Sequence, residues 1–80
     1  MPELAVMGIL VRERDDRAPG VQEVLTRYGS EILCRMGIPS PSKERGLITI
    51  VMEGKKADAL QGDLLKISGV EVKRMVFADY

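Results

Sequence analysis

Histidine and asparagine are missing from this chain altogether, and cysteine occurs once. Without histidine there is no Ser-His-Asp or Cys-His constellation and no imidazole ligand for a metal. The lone Cys34 cannot close an internal disulfide, and one thiolate does not make a metal cluster. Its cationic neighbour Arg35 points to the other side of a strand, so Cys34 reads as a small hydrophobe of a sheet rather than a redox thiol. Net charge is absent too, because 12 basic residues balance 12 acidic ones. No long-range field therefore draws the protein to DNA, RNA or anionic lipid. No apolar run approaches the roughly 20 residues that cross a bilayer. The N-terminus has neither a basic n-region nor a small-residue cleavage site, and glycine-rich phosphate loops are lacking. These absences point to a soluble, cytoplasmic, non-catalytic protein with no cofactor and no metal.

What is present fits one domain over residues 1–80. A domain of this size buries only about 60–65% of the surface its unfolded chain exposes, so a second chain would add needed burial. The most readable stretch is YGSEILCRMGI, where a helix ends near Gly29 and a strand leaves at once. The same grammar returns in ISGVEVKRMVF: with Gly29 set over Gly69, Glu31 falls on Glu71 and Ile32 on Val72. The helix-to-strand junction is thus written twice.

The first strand, residues 4–11, is apolar on both parities, with Leu4, Val6, Gly8 and Leu10 on one side and Ala5, Met7, Ile9 and Val11 on the other. That pattern predicts a central strand buried on both faces. Asp15 or Asp16 is expected to cap a helix with Pro19 in its first turn. Val21, Val24, Leu25 and Tyr28 form its inward stripe, and Gly29 is expected to close it in a left-handed conformation. The second strand alternates Ile32, Cys34, Met36 and Ile38 against Glu31, Leu33, Arg35 and Gly37, as at an edge. Pro39, Ser40, Pro41, Ser42 and the charged Lys43-Glu44-Arg45 predict an exposed turn. The third strand, residues 47–52, is again apolar on both faces apart from Thr49. A second helix follows from about Lys56, with Ala57, Leu60, Leu64 and Ile67 inward, and Gly62 weakens it by roughly 1 kcal/mol relative to alanine. The last strand sets Val70, Val72 and Val76 against Glu71, Lys73 and Phe77.

Strand, helix, strand, strand, helix, strand with two right-handed halves gives an α+β, ferredoxin-like βαββαβ fold. Its antiparallel sheet has the order 4-1-3-2, with both helices on one face. Nothing in the chain then covers the opposite face, which predicts a homo-oligomer, dimer or tetramer, joined through sheet faces or edges. We assign that interface to Ala5, Met7, Ile9, Val11, Ile48, Ile50 and Met52. A second candidate lies between the first strand and the first helix, where free backbone N–H groups favour a carboxylate or phosphate. Arg12, Arg14, Asp15, Arg17 and Gly20 are the residues expected to bind a small anionic or amino-acid effector there.

The segments RYGSEILCRMGIP, LITIVMEG and DALQGDLLKISGVEVKRM resemble a family of iron-only hydrogenase system regulators, short free-standing ACT-like domains. The resemblance covers nearly the whole chain and implies a regulatory module that oligomerises through its sheets. ACT-like domains often hold an effector near the loop after the first strand, which here is residues 12–20. Related nickel-responsive regulators bind metal through histidines, which this sequence lacks, and carry a DNA reader ahead of the domain; only a few residues precede the first strand here, so direct operator binding is not expected. The expectation is a non-catalytic regulatory oligomer sensing a small effector or partner, with no direct contact to nucleic acid or membrane. A passive assembly adaptor for hydrogenase maturation is the alternative. A small acylphosphatase-like hydrolase is disfavoured, because that chemistry uses a water-positioning asparagine amide.

Overall fold

A computed structural model describes residues 3–39 and 44–78. Four strands and two helices follow one another as β1 (Glu3–Arg12), α1 (Arg14–Arg27), β2 (Ile32–Pro39), β3 (Arg45–Glu53), α2 (Ala57–Leu65) and β4 (Val70–Ala78). A single 3₁₀ turn, Gly54–Lys56, leads into α2. The strands form one sheet in the order β2-β3-β1-β4, antiparallel at every junction. This is the ferredoxin-like arrangement, read from the other edge of the expected 4-1-3-2. The two apolar strands, β1 and β3, hold the centre.

Strand alternation divides the sheet into two faces. One carries Ala5, Met7, Ile9 and Val11 of β1, matched in register by Met52, Ile50, Ile48 and Gly46 of β3 and by Val76, Arg74, Val72 and Val70 of β4. Both helices lie on this face. Val21, Val24 and Leu25 of α1 and Ala57, Leu60 and Leu64 of α2 join the strand residues in a single buried cluster, with Tyr28, Ile32, Ile67 and Val72 packed around it. The interface assigned from sequence is therefore corrected. Ala5, Met7, Ile9, Val11, Ile50 and Met52 are buried beneath the chain's own helices, and Ile48 packs against the same core. Right-handed crossovers carry both helices to that side. Hydrophobicity, alike on both parities of β1, gives no sign of which side it is.

Several local features also depart from expectation. The corner from β1 into α1 is a single residue, Glu13, whose φ of 52° is left-handed. Its carbonyl accepts the N–H groups of Asp16 and Arg17, both at 3.0 Å. Asp15 and Asp16 consequently sit inside the first turn, where the helix dipole favours them, rather than capping it. Pro19 falls inside α1, beyond the first turn. Gly29 is not left-handed: α1 ends at Tyr28 with a φ of −102°, and among the described glycines only Gly69, at φ 81°, has that conformation. Between Ile32 and Cys34 the β2–β3 register slips by a bulge. The extra residue turns Ile32 toward the helices and sends Cys34, Met36 and Ile38 to the opposite face. The turn expected around Pro41, with Ser40, Ser42 and Lys43, lies outside the described residues.

A polar link joins the two helices at their outer ends. The Tyr28 hydroxyl donates to Asp63 Oδ2 at 2.6 Å, with Lys66 Nζ 3.6 Å and Arg27 Nη1 3.8 Å from the same carboxylate. The hydrogen bond from Tyr28, helped by the two cations, holds the Asp63 carboxyl below its ordinary range. The same bond, with desolvation and the neighbouring negative charge, raises the Tyr28 phenol above its usual value. On β4, Arg74 shares the helix face with the apolar core residues and is matched by Asp58 of α2 at 2.6 Å.

Candidate functional site

The sheet face away from the helices is built from the other parity, and its rows follow from the register. Leu4 lies between Glu53 and Phe77, and Val6 between Val51 and Met75, with Cys34 beyond Val51. Gly8 lies between Thr49 and Lys73, with Met36 beyond Thr49, and Leu10 between Leu47 and Glu71, with Ile38 beyond Leu47. Arg12 pairs with Arg45 at the end. No described element crosses this face. Met36, Ile38, Leu47, Met75 and Phe77 are 39–59% exposed, and together with Val6, Leu10 and Val51 they make two apolar bands on either side of the Gly8 row, joined across Met36 on β2. Isolated exposed hydrophobes are ordinary, but a contiguous surface of this kind marks an interaction site.

Gly8 is the low point of that surface. A Cβ built on it would meet no heavy atom within 4 Å, so packing within the chain does not call for glycine there. Two hollows flank it. One of about 250 Å³ is lined by Gly8, Leu10, Leu47, Glu71 and Lys73, and one of about 350 Å³ by Val6, Gly8, Thr49, Lys73, Arg74 and Met75. Glycine within a central strand weakens it, and it often marks the place where another backbone or a ligand comes close.

Charge is distributed unevenly along the strands of this face. At one end Arg12 Nη2 reaches Glu71 Oε1 at 3.1 Å and Lys73 Nζ lies 4.0 Å from Glu71 Oε2, with Arg45 alongside. That end holds Arg12 and Arg45 against the one carboxylate of Glu71, with Lys73 in the Gly8 row midway along the strands. The other end carries Glu53, beside Leu4 and Phe77. Neither Glu53 nor Arg45 has a salt-bridge partner among the described residues.

The five residues read from sequence as an effector site are not gathered around one cavity. Arg12 belongs to the open face through Glu71. Arg14 lies over the opposite side, its Cδ 3.1 Å from where a Cβ on Gly46 would stand. With Val11, Ala18, Gln22 and Gly37 it lines a cleft of about 220 Å³ between α1 and the β2–β3 edge. The Gln22 side chain accepts from Arg35, tying α1 to β2. Asp15 is exposed, beside Arg14, Asp16, Glu13 and Glu44 in a shallow polar depression. Arg17 pairs with Glu13 at 3.2 Å, while its buried Nε has no partner. Gly20 faces Ile67, 3.5 Å from where its Cβ would be. Cys34, a free thiol, is exposed on the open face. Among the described residues, no group of three or more Asp, Glu or Cys side chains is placed to hold a metal ion. No described helix is long and apolar enough to cross a membrane.

That one sheet face stays uncovered by the helices was expected from sequence, but the parity assigned to it was the buried one. A single signal would have given the correct parity. Glu71 and Lys73 alternate with Val70 and Val72 on the last strand, so the charged parity of β4 and whatever β1 residues share its face must be the side away from the helices.

Fold and surface together define a small ferredoxin-like protein with one sheet face filled by its own helices and the other left apolar and open. The chain belongs to the TM1266-like family, described as "Iron-only hydrogenase system regulator, putative", whose model matches residues 3–74. The solved structure of the uncharacterized protein TM1266 from Thermotoga maritima superposes with a TM-score of 0.84 at 29% identity, covering 94% of this chain and 98% of that one. A formyltetrahydrofolate deformylase from Pseudomonas putida matches with a TM-score of 0.58 at 9% identity, over 90% of this chain and 28% of that one. LarC2, the C-terminal domain of a cyclometallase, matches at 0.55 and 17% identity, over 95% of this chain and 58% of its own. These last two show the fold alone. No curated protein matches the sequence.

Proposed function

We propose that this protein is a non-catalytic regulator of an iron-only hydrogenase system and that it works by association, using the open sheet face as its contact surface. Family membership supports the regulatory reading. The observation that carries the association is the apolar surface of Val6, Leu10, Val51, Met75, Met36 and Ile38 around an uncrowded Gly8. In water such a surface loses roughly 25 cal/mol for every Å² left uncovered, and a second subunit removes that cost. Regulation then means a shift between free and associated forms. Anything that binds one form better moves the balance by its differential affinity. The charged segment 12–20 borders the face through Arg12 but contributes no common cradle, so the reading rests on the surface and not on an effector pocket.

Sedimentation velocity at micromolar concentration tests the association: a dimer or higher species is expected, and a monomer throughout the range overturns it. Deletion of the gene in its host tests the regulation. Hydrogenase activity should change, and it should be restored by the native gene but not by a Val6→Lys version. Unchanged activity on deletion overturns the regulatory reading.

A further inference from the structure

We infer that the open face receives a second copy of this chain with its strands running antiparallel to the first, the two sheets crossing at Gly8. The inference rests on the association proposed above and gives it a geometry. Two identical faces that pack against each other are related by a two-fold axis lying between the sheets. Two limiting directions exist for that axis.

An axis parallel to the strands keeps each cross-strand row over itself and sets β1 over β3 of the partner subunit. Arg12 then lies over Arg45 of the partner subunit twice, and Glu53 over an apolar residue. Like charges placed together at an interface cost free energy and select against that pairing. An axis across the strands at Gly8 reverses the rows. Leu10 comes over Val6 of the partner subunit, Leu47 over Val51 of the partner subunit, and Glu53 over Arg45 of the partner subunit. The one like-charge meeting, Lys73 over Lys73 of the partner subunit, falls on the edge strand β4, where a side chain 86% exposed can extend past the rim into water. Glu53 and Arg45, which have no salt-bridge partner among the described residues, thereby answer each other, once on each side of the axis. Gly8 meets its own copy on the axis, where the missing side chain permits the closest approach of the two backbones.

The surface is large enough. Four strands spaced about 4.8 Å apart, and the eight residue steps from Leu4 to Arg12 at about 3.4 Å each, outline about 500 Å² per copy. The pair then buries about 1,000 Å², the lower bound for a specific interface.

A charge-swap experiment on the full chain tests this. Glu53→Lys and Arg45→Glu are prepared separately, checked for the native far-UV circular dichroism spectrum, and their self-association measured by sedimentation equilibrium. Each variant alone should dissociate at least tenfold more readily than the native dimer, because each places like charges at both ends. An equimolar mixture should recover native-like association as a heterodimer, in which both end pairs are again opposite in sign. Glu53→Gln and Arg45→Gln provide milder versions should either reversal disturb folding, each weakening the dimer in the same direction. A native dimer that neither variant weakens, or whose variants do not rescue each other, overturns the antiparallel geometry while leaving association standing. A native protein that is monomeric, or that associates only with another protein of its host, overturns the second-copy docking itself.

Discussion

Adjacent residues on β1 should respond to the same substitution in opposite ways. Met7 has no exposed surface and lies in register with Ile50 and Arg74, and the charge on Arg74 is already matched by Asp58. Met7→Lys forfeits about 1.5–3 kcal/mol of side-chain burial and puts an ammonium in the core with no acid to meet it, at several kcal/mol more. An 80-residue domain has roughly 4–12 kcal/mol of total stability at about 0.05–0.15 kcal/mol per residue. The variant should be unfolded or retain no cooperative transition. Val6, one position earlier, lies on the open face between Val51 and Met75. A lysine there can extend its ammonium into water in the free subunit, so stability should change by less than about 1 kcal/mol. In the dimer the same lysine is trapped between apolar rows, and the dissociation constant should rise about a hundredfold or more, equivalent to about 2.7 kcal/mol. Urea unfolding followed by circular dichroism reads the first effect and sedimentation equilibrium the second. A folded Met7→Lys protein beside an unfolded Val6→Lys protein would reverse the assignment of the two faces. Undiminished association of Val6→Lys would remove the open face as the contact surface.

Four further outcomes follow from local geometry. Gly62→Ala, in the exposed interior of α2 with no neighbour within 4 Å of the new Cβ, should stabilise the protein by about 1 kcal/mol. Gly69→Ala, forced into a left-handed conformation with its Cβ 3.4 Å from the Arg12 carbonyl oxygen, should destabilise it by about 1–2 kcal/mol; urea midpoints separate the two. Leu60→Ala, at a fully buried position of α2, should cost about 2–5 kcal/mol, whereas the same change at the half-exposed Leu65 should be close to neutral in thermal melts. Tyr28→Phe should flatten the loss of stability in acid. The Asp63 carboxyl is lowered chiefly by the Tyr28 hydroxyl, so its contribution is present above roughly pH 4 and is lost as pH falls through the lower folded value. A native urea midpoint that falls no more than that of Tyr28→Phe between neutral pH and pH 3 would remove Tyr28 as the cause.

The sequence was most legible where hydrophobic alternation and chain order decide the outcome. The central places of β1 and β3 followed from their apolar runs, the inward stripe of α1 from Val21, Val24 and Leu25, and the sheet order from right-handed crossovers. What was not legible depends on geometry that residue type does not encode. Met7 and Val6 are both apolar, and only the landing side of the helices makes one core and the other surface. The repeated glycine junction was similarly ambiguous, for Gly69 takes the left-handed conformation and Gly29 does not. The strain appears instead at Glu13, where β1 passes into α1 through one residue, and a glutamate gives no warning of it. The effector candidates around residues 12–20 are neighbours in sequence, but the sharp corner at Glu13 disperses them. Arg12 goes to the open side, Arg14 to the cleft under α1, and Gly20 toward Ile67.

The slip in β2 between Ile32 and Cys34 bears on how copies of this protein behave when crowded. A strand of another molecule laid along that margin would lose its hydrogen-bonding rhythm at the inserted residue, and Pro39 at the far end offers no donor. Lateral growth into ribbons is thus checked at one border of the sheet. Under the proposed pairing through the broad side, that check favours finite pairs over ribbons growing from the β2 margin.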